Sequence, residues 1–330
     1  MAVECPYRAH CSEQILPIKP APDKELPVAN LEASPAKAIV YAFGANLGIA
    51  VSKTFAAYFS GSSSMLAEAI HSYADTVNQL LLLLGMHRAK RPPDAEHPLG
   101  YGKLSYFWSF IVALILFSLG GVFSVYEGWH KLREPAALEH IWIALSVLCV
   151  AVVLEGFSMY GCLREVNKLR GRRSLREWLR ESRSSELVVV FGEDLAALSG
   201  LIIALNCLII AHVTGDTVFD AVGSIAIGIL LIAVAVFLAV KIKALLIGRS
   251  ADPDLVTAIE DQLQQHEAIV RIYNVITIQV GPQVMLAAKI RVREEIPTAE
   301  TCRQINAMEA ALRIRFPEIG WCFIEPDVTD

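Results

Sequence analysis

The sequence predicts an all-α six-helix transmembrane bundle followed by a small α+β C-terminal domain on the cytoplasmic side. Three observations carry that prediction. Of 330 residues, 54% are hydrophobic and only 19% charged, whereas a soluble domain of ordinary composition carries about a quarter charged residues. Six apolar runs are long enough to cross a bilayer core, which needs roughly 20 residues of helix. From Asp252 onward the apolar residues recur at amphipathic spacing instead. The net charge of −5 is small, so nucleic acid is not the expected partner.

Residues 1–34 come first and read as a disordered tail. Pro6, Pro17, Pro20, Pro22 and Pro27 interrupt them, and no apolar run is long enough for the core of a secretory signal. Cys5, His10 and Cys11 in this tail could form a soft metal cluster, but incidental placement is the simpler reading. The seven cysteines show no paired spacing, so no disulfide framework is indicated.

The membrane domain is expected over residues 35–249. Its apolar runs are Ala36–Phe59, Met65–Met86, Leu104–Glu127, Ile141–Leu163, Leu187–His212 and Val218–Val240. The connections Ser60–Ser64 and Val213–Thr217 are short, which makes helices one and two, and helices five and six, antiparallel neighbours. Orientation follows from the basic residues in the loops. Arg88, Lys90, Arg91 and Lys103 follow helix two. Arg164, Lys168, Arg170, Arg172, Arg173, Arg176, Arg180 and Arg183 follow helix four, and Lys241, Lys243 and Arg249 follow helix six. The alternate loops hold only Lys131 and Arg133. Both termini are therefore expected in the cytoplasm, in a multi-pass protein of the plasma (inner) membrane. The long basic loop either sets topology alone or also meets anionic lipid headgroups.

Residues 250–330 read as a separate cytoplasmic domain in the order αββαβ. Asp252-Pro253 is a helix start, an N-cap followed by proline at the first helical position. Val256, Ile259 and Leu263 follow at helical spacing. Val270–Val280 and Val284–Val292 are strands joined at Gly281-Pro282, and Trp321–Glu325 is a third. A second helix after Pro297-Thr298 has Cys302, Ile305, Glu309, Leu312 and Phe316 on one side. A domain this small is marginal alone and gains from self-association, so a homodimer is expected.

The chemistry lies in polar residues placed where lipid should be. Helix two carries Glu68, His71, Asp75, Asn78 and Gln79. Residues four apart share a helix face, so His71 and Asp75 can reach one point, with Glu68 and Asn78 on the same stripe. An ionised carboxylate at mid-membrane costs at least about 2.5 kcal/mol. One nitrogen and one oxygen suit zinc or another first-row divalent ion. A His–Asp hydrogen bond that locks helices together is the competing reading. Helix five carries Glu193-Asp194. Adjacent residues sit about 100° apart, so one is expected to coordinate and the other to pair with a cation or carry a proton. Asp194 is the preferred ligand. Asn46 in helix one and Asp220 at the start of helix six are weaker candidates.

These motifs carry a resemblance. The run Gly61–Asp75, the stretch His97-Pro98-Leu99-Gly100-Tyr101-Gly102-Lys103 and the stretch Asp220–Gly228 resemble helices two, three and six of the cation diffusion facilitator (cation efflux) family. Asn78-Gln79, Gly192-Glu193-Asp194 and Arg180-Glu181-Ser182-Arg183 are similar to the branch of the ninth mammalian zinc transporter. The resemblance covers roughly residues 36–330. It implies a homodimeric exporter that exchanges cytoplasmic divalent metal, zinc foremost, for protons by alternating access. It also implies a ferredoxin-like C-terminal domain, no enzymatic activity and no permanently bound cofactor. Family members place two ligands in helix two and a His-x-x-x-Asp pair in helix five. His71, Asp75 and Asp194 match, but the histidine position holds Val190, leaving Glu193, Asn46 or water to complete the set. Tyr101 stands where some relatives have a histidine, which weakens Asp94 and His97 as a loop site. His266, Cys302 and Cys322 are too few and scattered for a zinc cluster in the C-terminal domain. Export of manganese, iron or cobalt, a membrane metalloenzyme and a transport-inactive regulator are the alternatives.

Overall fold

A computed structural model describes residues 35–60, 63–134 and 141–329. The expected tail, with Cys5, His10 and Cys11, lies outside the described residues.

Every apolar run forms a helix, and the helices outlast the runs. They are α1 (Pro35–Ser60), α2 (Ser63–Ala89), α3 (Leu104–Ile115), α4 (Phe123–Arg133), α5 (Ile141–Arg170), α7 (Ser185–Thr214) and α8 (Val218–Ile247). A π-helical segment, Leu116–Val122, joins α3 to α4, so that Leu104–Arg133 is one continuous helix of 30 residues. Thirty residues also make up each of α5, α7 and α8, about 45 Å at 1.5 Å per residue. That length exceeds the lipid core. Helix α5 was expected to stop at Leu163 but continues through Arg164 and Lys168 to Arg170, because charge ends membrane burial without ending a helix.

Among the described residues, five helices are long and apolar enough to cross a membrane: Pro35–Ala56, Leu104–Arg133, Ala144–Arg170, Ser185–Thr214 and Val218–Ile247. The sixth expected span, in α2, is not among them. Its 27 residues suffice in length, but Glu68, His71 and Asp75 depress its hydropathy. The outer surface of the bundle is apolar, with Val153, Phe157 and Tyr160 of α5 and Ile229, Phe237 and Val240 of α8 exposed. So large an apolar surface calls for lipid rather than water. Inside, Ile39, Leu82, Tyr106, Leu187, Val190, Leu238 and Ile242 pack into one core. Helix α1 packs on α2 and α5, α5 on α7, and α7 on α8.

The expected αββαβ order follows, as α9 (Pro253–Gln264), β1 (Ile269–Val280), β2 (Gln283–Val292), α10 (Thr298–Arg315) and β3 (Ile319–Pro326). Asp252 caps α9 by accepting from the Asp254 amide at 3.0 Å. Strand β2 is central, antiparallel to β1 and parallel to β3. Ile259, Leu263, Leu286, Ile290, Met308, Leu312 and Phe316 form a second core. The buried stripe of α10 runs through Thr301, Met308 and Leu312, so Cys302, expected on that side, is exposed instead. The offset of one residue turns Cys302 about 100° away from the sheet.

Much of the basic loop turns out to be structural. Ser174 and Glu177 close a capping box that starts α6 (Leu175–Glu181). Arg173 donates to both oxygens of Asp252, at 2.6 and 2.7 Å, and also to Asp254. Arg183 donates to the carbonyls of Ser250 and Ala251, each at 2.8 Å. Two arginines thus bolt the loop after α5 to the start of the C-terminal domain, while Arg164, Arg172, Arg176 and Arg180 stay exposed. Partial burial pushes the Asp252 carboxyl up, but the Arg173 hydrogen bonds and the Asp254 amide outweigh it and hold the group below the usual carboxylate range. Its unfolded reference is about 3.9. A lowered folded value stabilises the protein above the unfolded pKa, and that stability is lost as pH falls through the folded value. Asp252→Asn is therefore expected to lower the melting temperature at pH 7, with about 1.5 kcal/mol lost, the low end for charge-assisted bonds that retain water contact. The difference from wild type should shrink below about pH 4, as measured by thermal unfolding of the full chain in detergent.

Candidate metal site

The first ten residues of α7, Ser185–Asp194, are buried on every side, because α3, α5 and α8 all pack against this helix. A helix buried all round and still carrying two acids must supply them with partners. The neighbours of the two acids differ, as their angular offset requires. Ser158 of α5 donates to Asp194 Oδ2 at 2.9 Å. On the other side, Asn78 Nδ2 and Gln79 Nε2 of α2 donate to the two oxygens of Glu193 at 3.4 and 3.1 Å. Glu193 is therefore engaged by a pair of amides and braces α2 against α7. The amide oxygens of Asn78 and Gln79 are buried without a hydrogen-bond partner among the described residues, a cost of about 1–3 kcal/mol each.

Asp75 lies one turn before Asn78 on α2 and is half-buried. Its charge acts on Glu193 of α7 and on Glu155 of α5. Asp194 acts on Glu155 as well, and Lys53 of α1 brings one positive charge to the same region. Acids on α2, α5 and α7 thus influence one another electrostatically through the interior of the bundle. Glu155, Glu193 and Asp194 are respectively 5%, 7% and 2% exposed. Carboxylates gathered out of water repel one another and lose hydration, so the cluster demands protons or cations as company. Taking up and giving back positive charge, protons included, is the chemistry open to such buried acids.

The backbone of His71 stands one turn before Asp75 on α2, but its side chain and that of Glu68 lie outside the described residues. Among the described residues, no group of three or more His, Cys, Asp or Glu side chains is gathered closely enough to hold a metal. Val190 is fully buried in the hydrophobic core and offers no donor. Asn46 is buried at 8% exposure. Asp220 is paired with Lys131 at 3.1 Å, and Lys131 also reaches Glu127 at 3.4 Å. These contacts make Asp220 a structural ion-pair partner.

The loop before α3 forms a closed turn. Tyr101 Oη donates to Asp94 Oδ2 at 2.6 Å, and the His97 amide donates to Oδ1 at 2.7 Å. The Tyr101 hydroxyl, with the His97 amide, holds the Asp94 carboxyl below its usual range. Tyr101 thus occupies one carboxylate oxygen. In the C-terminal domain, Cys322 of β3 is buried in the second core and Cys302 is exposed, while half-burial pushes His266 below its ordinary value.

Sequence reasoning overlooked Glu155 and Ser158. The signal for Glu155 was present, since it is the one charged residue inside the apolar run Ile141–Leu163. Ser158 had no such signal, because a serine is unremarkable in a membrane helix until its neighbour is known.

Comparison with known proteins gives matches over the membrane-spanning part of the chain. The family model described as the cation efflux transmembrane domain matches residues 39–247. A proton-coupled zinc antiporter, SLC30A9, mitochondrial, from Xenopus laevis is 34% identical over 246 residues, which is 74% of this chain and 43% of that protein. Metal tolerance protein C4 of Arabidopsis thaliana is 32% identical over 225 residues, covering 68% of this chain and 49% of the relative. Magnetosome protein MamM of Paramagnetospirillum magneticum is 32% identical over 120 residues, 34% of this chain and 37% of its own length. The chain spans less than half the length of each of these relatives. The mitochondrial designation in the first name gives the expected plasma-membrane location no support.

Proposed function

Because the chain belongs to the cation efflux family, a family of transporters rather than enzymes, we propose that it exports a divalent metal ion, zinc foremost, in exchange for protons. The observation that carries this reading is a pair of acids buried on adjoining membrane helices, Glu155 of α5 and Asp194 of α7, with the half-buried Asp75 of α2 acting on Glu155 through its charge. We assign six membrane crossings, α2 among them, with polar residues facing the bundle interior as intramembrane ionisable groups do. Both termini lie on the side of the basic loops. The C-terminal domain takes the ferredoxin-like fold and assembles as a homodimer.

His71, Asp75 and Asp194 hold the metal in this reading. Metal requires ionised carboxylates and a neutral imidazole, so binding expels protons and protonation expels metal. An imidazole with a reference pKa of about 6.5 switches in the range where compartments differ in pH. Ser158 fixes Asp194 through one oxygen and leaves the other for the ion. Glu193, held by two amides, keeps α2 and α7 in register so that their ligands arrive together. Exposure of this pocket alternately to either side of the membrane then moves metal one way and protons the other.

A second reading within the family, a manganese, iron or cobalt exporter, is favoured by one feature. The donors are mostly carboxylates, which harder ions accept readily. Purified full-length protein in proteoliposomes separates the two with a panel of zinc, manganese, iron and cobalt. Zinc flux is expected to rise when the opposite side is made acidic, with protons moving counter to the metal. Absence of flux for every ion, or flux indifferent to the proton gradient, sinks the exchange mechanism.

A further inference from the structure

Positive charge is left over where the end of α6 meets the end of α8. Lys241 of α8 and Arg249, just beyond that helix, both donate to the carbonyl of Arg180, the Arg249 Nη2 at 2.9 Å. Two cations therefore converge on one oxygen, and both contacts lie at the surface. They cap the C-terminal end of α6, but a helix terminus carries only about half a negative charge. One shared carbonyl also does not exhaust the donors of an ammonium and a guanidinium. The charges acting on Lys241 are those of Arg249, Arg183 and Arg180, opposed by that of Glu181. The Arg180 side chain is 78% exposed and pairs with Glu181 at 3.0 Å. Arg183 spends its hydrogens on the carbonyls of Glu181, Ser250 and Ala251, so it adds charge to the patch. Burial, and then the charge of Arg249, push its guanidinium below the ordinary value. Arg173 is taken up by Asp252 and Asp254. Arg173, Arg180, Arg183, Lys241 and Arg249 thus stand against Glu181, Asp252 and Asp254, an excess of two positive charges.

Apolar surface borders this patch. Phe237 precedes Lys241 by one turn on the same face of α8 and is 48% exposed, with Val240 beside it at 58%. About 6 Å of helix rise separates Phe237 from Lys241. An anion joined to an acyl chain satisfies both features, whereas free phosphate satisfies only the first.

We propose that Lys241, Arg249 and Arg180 bind the phosphate of an anionic phospholipid whose acyl chains lie along Phe237 and Val240. The Arg249 carbonyl accepts from the Gln279 amide of β1 at 2.9 Å, so the bound headgroup links α6 and α8 to the first strand of the C-terminal domain. This site is independent of the metal reading and requires only that α8 spans the membrane.

The test titrates full-length protein in dodecyl maltoside with phosphatidylglycerol, phosphatidylcholine or inorganic phosphate, read by thermal unfolding and native mass spectrometry. Phosphatidylglycerol alone is expected to raise the melting temperature and to stay bound. Lys241→Gln/Arg249→Gln is expected to bind it about thirtyfold more weakly, at roughly fivefold for each basic group. Arg180→Gln leaves the carbonyl that receives both donors in place, so it decides the matter even if the double variant does not fold; a loss of about fivefold is expected. Arg164→Gln/Arg172→Gln removes two exposed arginines outside the patch and is expected to keep wild-type affinity. Equal stabilisation by phosphatidylcholine would mean ordinary lipid packing, and equal stabilisation by inorganic phosphate a soluble-anion site. Equal loss in Arg164→Gln/Arg172→Gln would mean that overall charge, and not this patch, attracts the lipid. Any of these three results, or wild-type affinity in Arg180→Gln, overturns the proposal.

Discussion

Replacing Asp194 with alanine is expected to abolish metal flux in proteoliposomes, by at least about 100-fold, while the bundle stays assembled. The size follows from the role. Loss of a group that merely orients a ligand costs 10–100-fold in metal affinity, and Asp194 is assigned to the ligand set itself. The structural cost is small because the substitution removes a buried carboxylate that is 2% exposed, along with its desolvation. It strands only the Ser158 hydroxyl, which can turn to a carbonyl of its own helix. Asp194→Asn sharpens the test. The amide keeps the shape and can still accept from Ser158, but it carries no charge to balance the ion. Equal loss in both variants supports coordination. Asp194→Asn with wild-type flux would mean that the side chain serves packing and that the ion binds elsewhere. Asp75→Ala, in a different helix, is expected to behave as Asp194→Ala does, and survival of transport there would be just as damaging.

Gly281→Val is expected to uncouple the C-terminal domain from the membrane helices. Gly281 has φ of +62°, and holding a valine in that conformation costs about 1–3 kcal/mol before any contact is considered. The turn between β1 and β2 also lies directly on the chain entering α3. A Cβ on Gly281 would stand 2.8 Å from Cα and O of Gly102, and a Cβ on Gly102 would stand 2.5 Å from the Val280 carbonyl oxygen. Both obstacles are backbone, so no side chain can swing aside. Tyr106 Oη donates to the Gly281 carbonyl at 3.1 Å across the same contact. The expected result is faster proteolysis around residues 248–252 and a lower melting temperature for the full chain. Gly44→Ala is the control, since nothing lies within 4 Å of its added Cβ and alanine favours a helix over glycine by up to about 1 kcal/mol. Unchanged protease sensitivity in Gly281→Val would show that the contact does not hold the two parts together.

The division between what was readable and what was not follows particular residues. His71, Asp75, Glu193 and Asp194 stand out because each breaks an apolar run. Glu155 breaks one equally and was passed over, since a lone acid in a helix without a motif drew no comparison. The arginines of the loop after α5 were legible as a topology signal. Nothing in their spacing indicated that Arg173 would bind Asp252, 79 positions further along.

Hydropathy and periodicity are properties of neighbouring residues, so the sequence alone determined the membrane helices, the αββαβ order and the polar residues placed in lipid-length segments. Which of those residues meet is a property of helix packing. Only the tertiary structure decided that Glu193 faces two amides of α2, that Asp194 faces Ser158 of α5, and that Glu155 is buried within the bundle. The reason is geometric. A rotation of 100° separates adjacent residues on a helix, and the partner across each face is chosen by how distant segments pack.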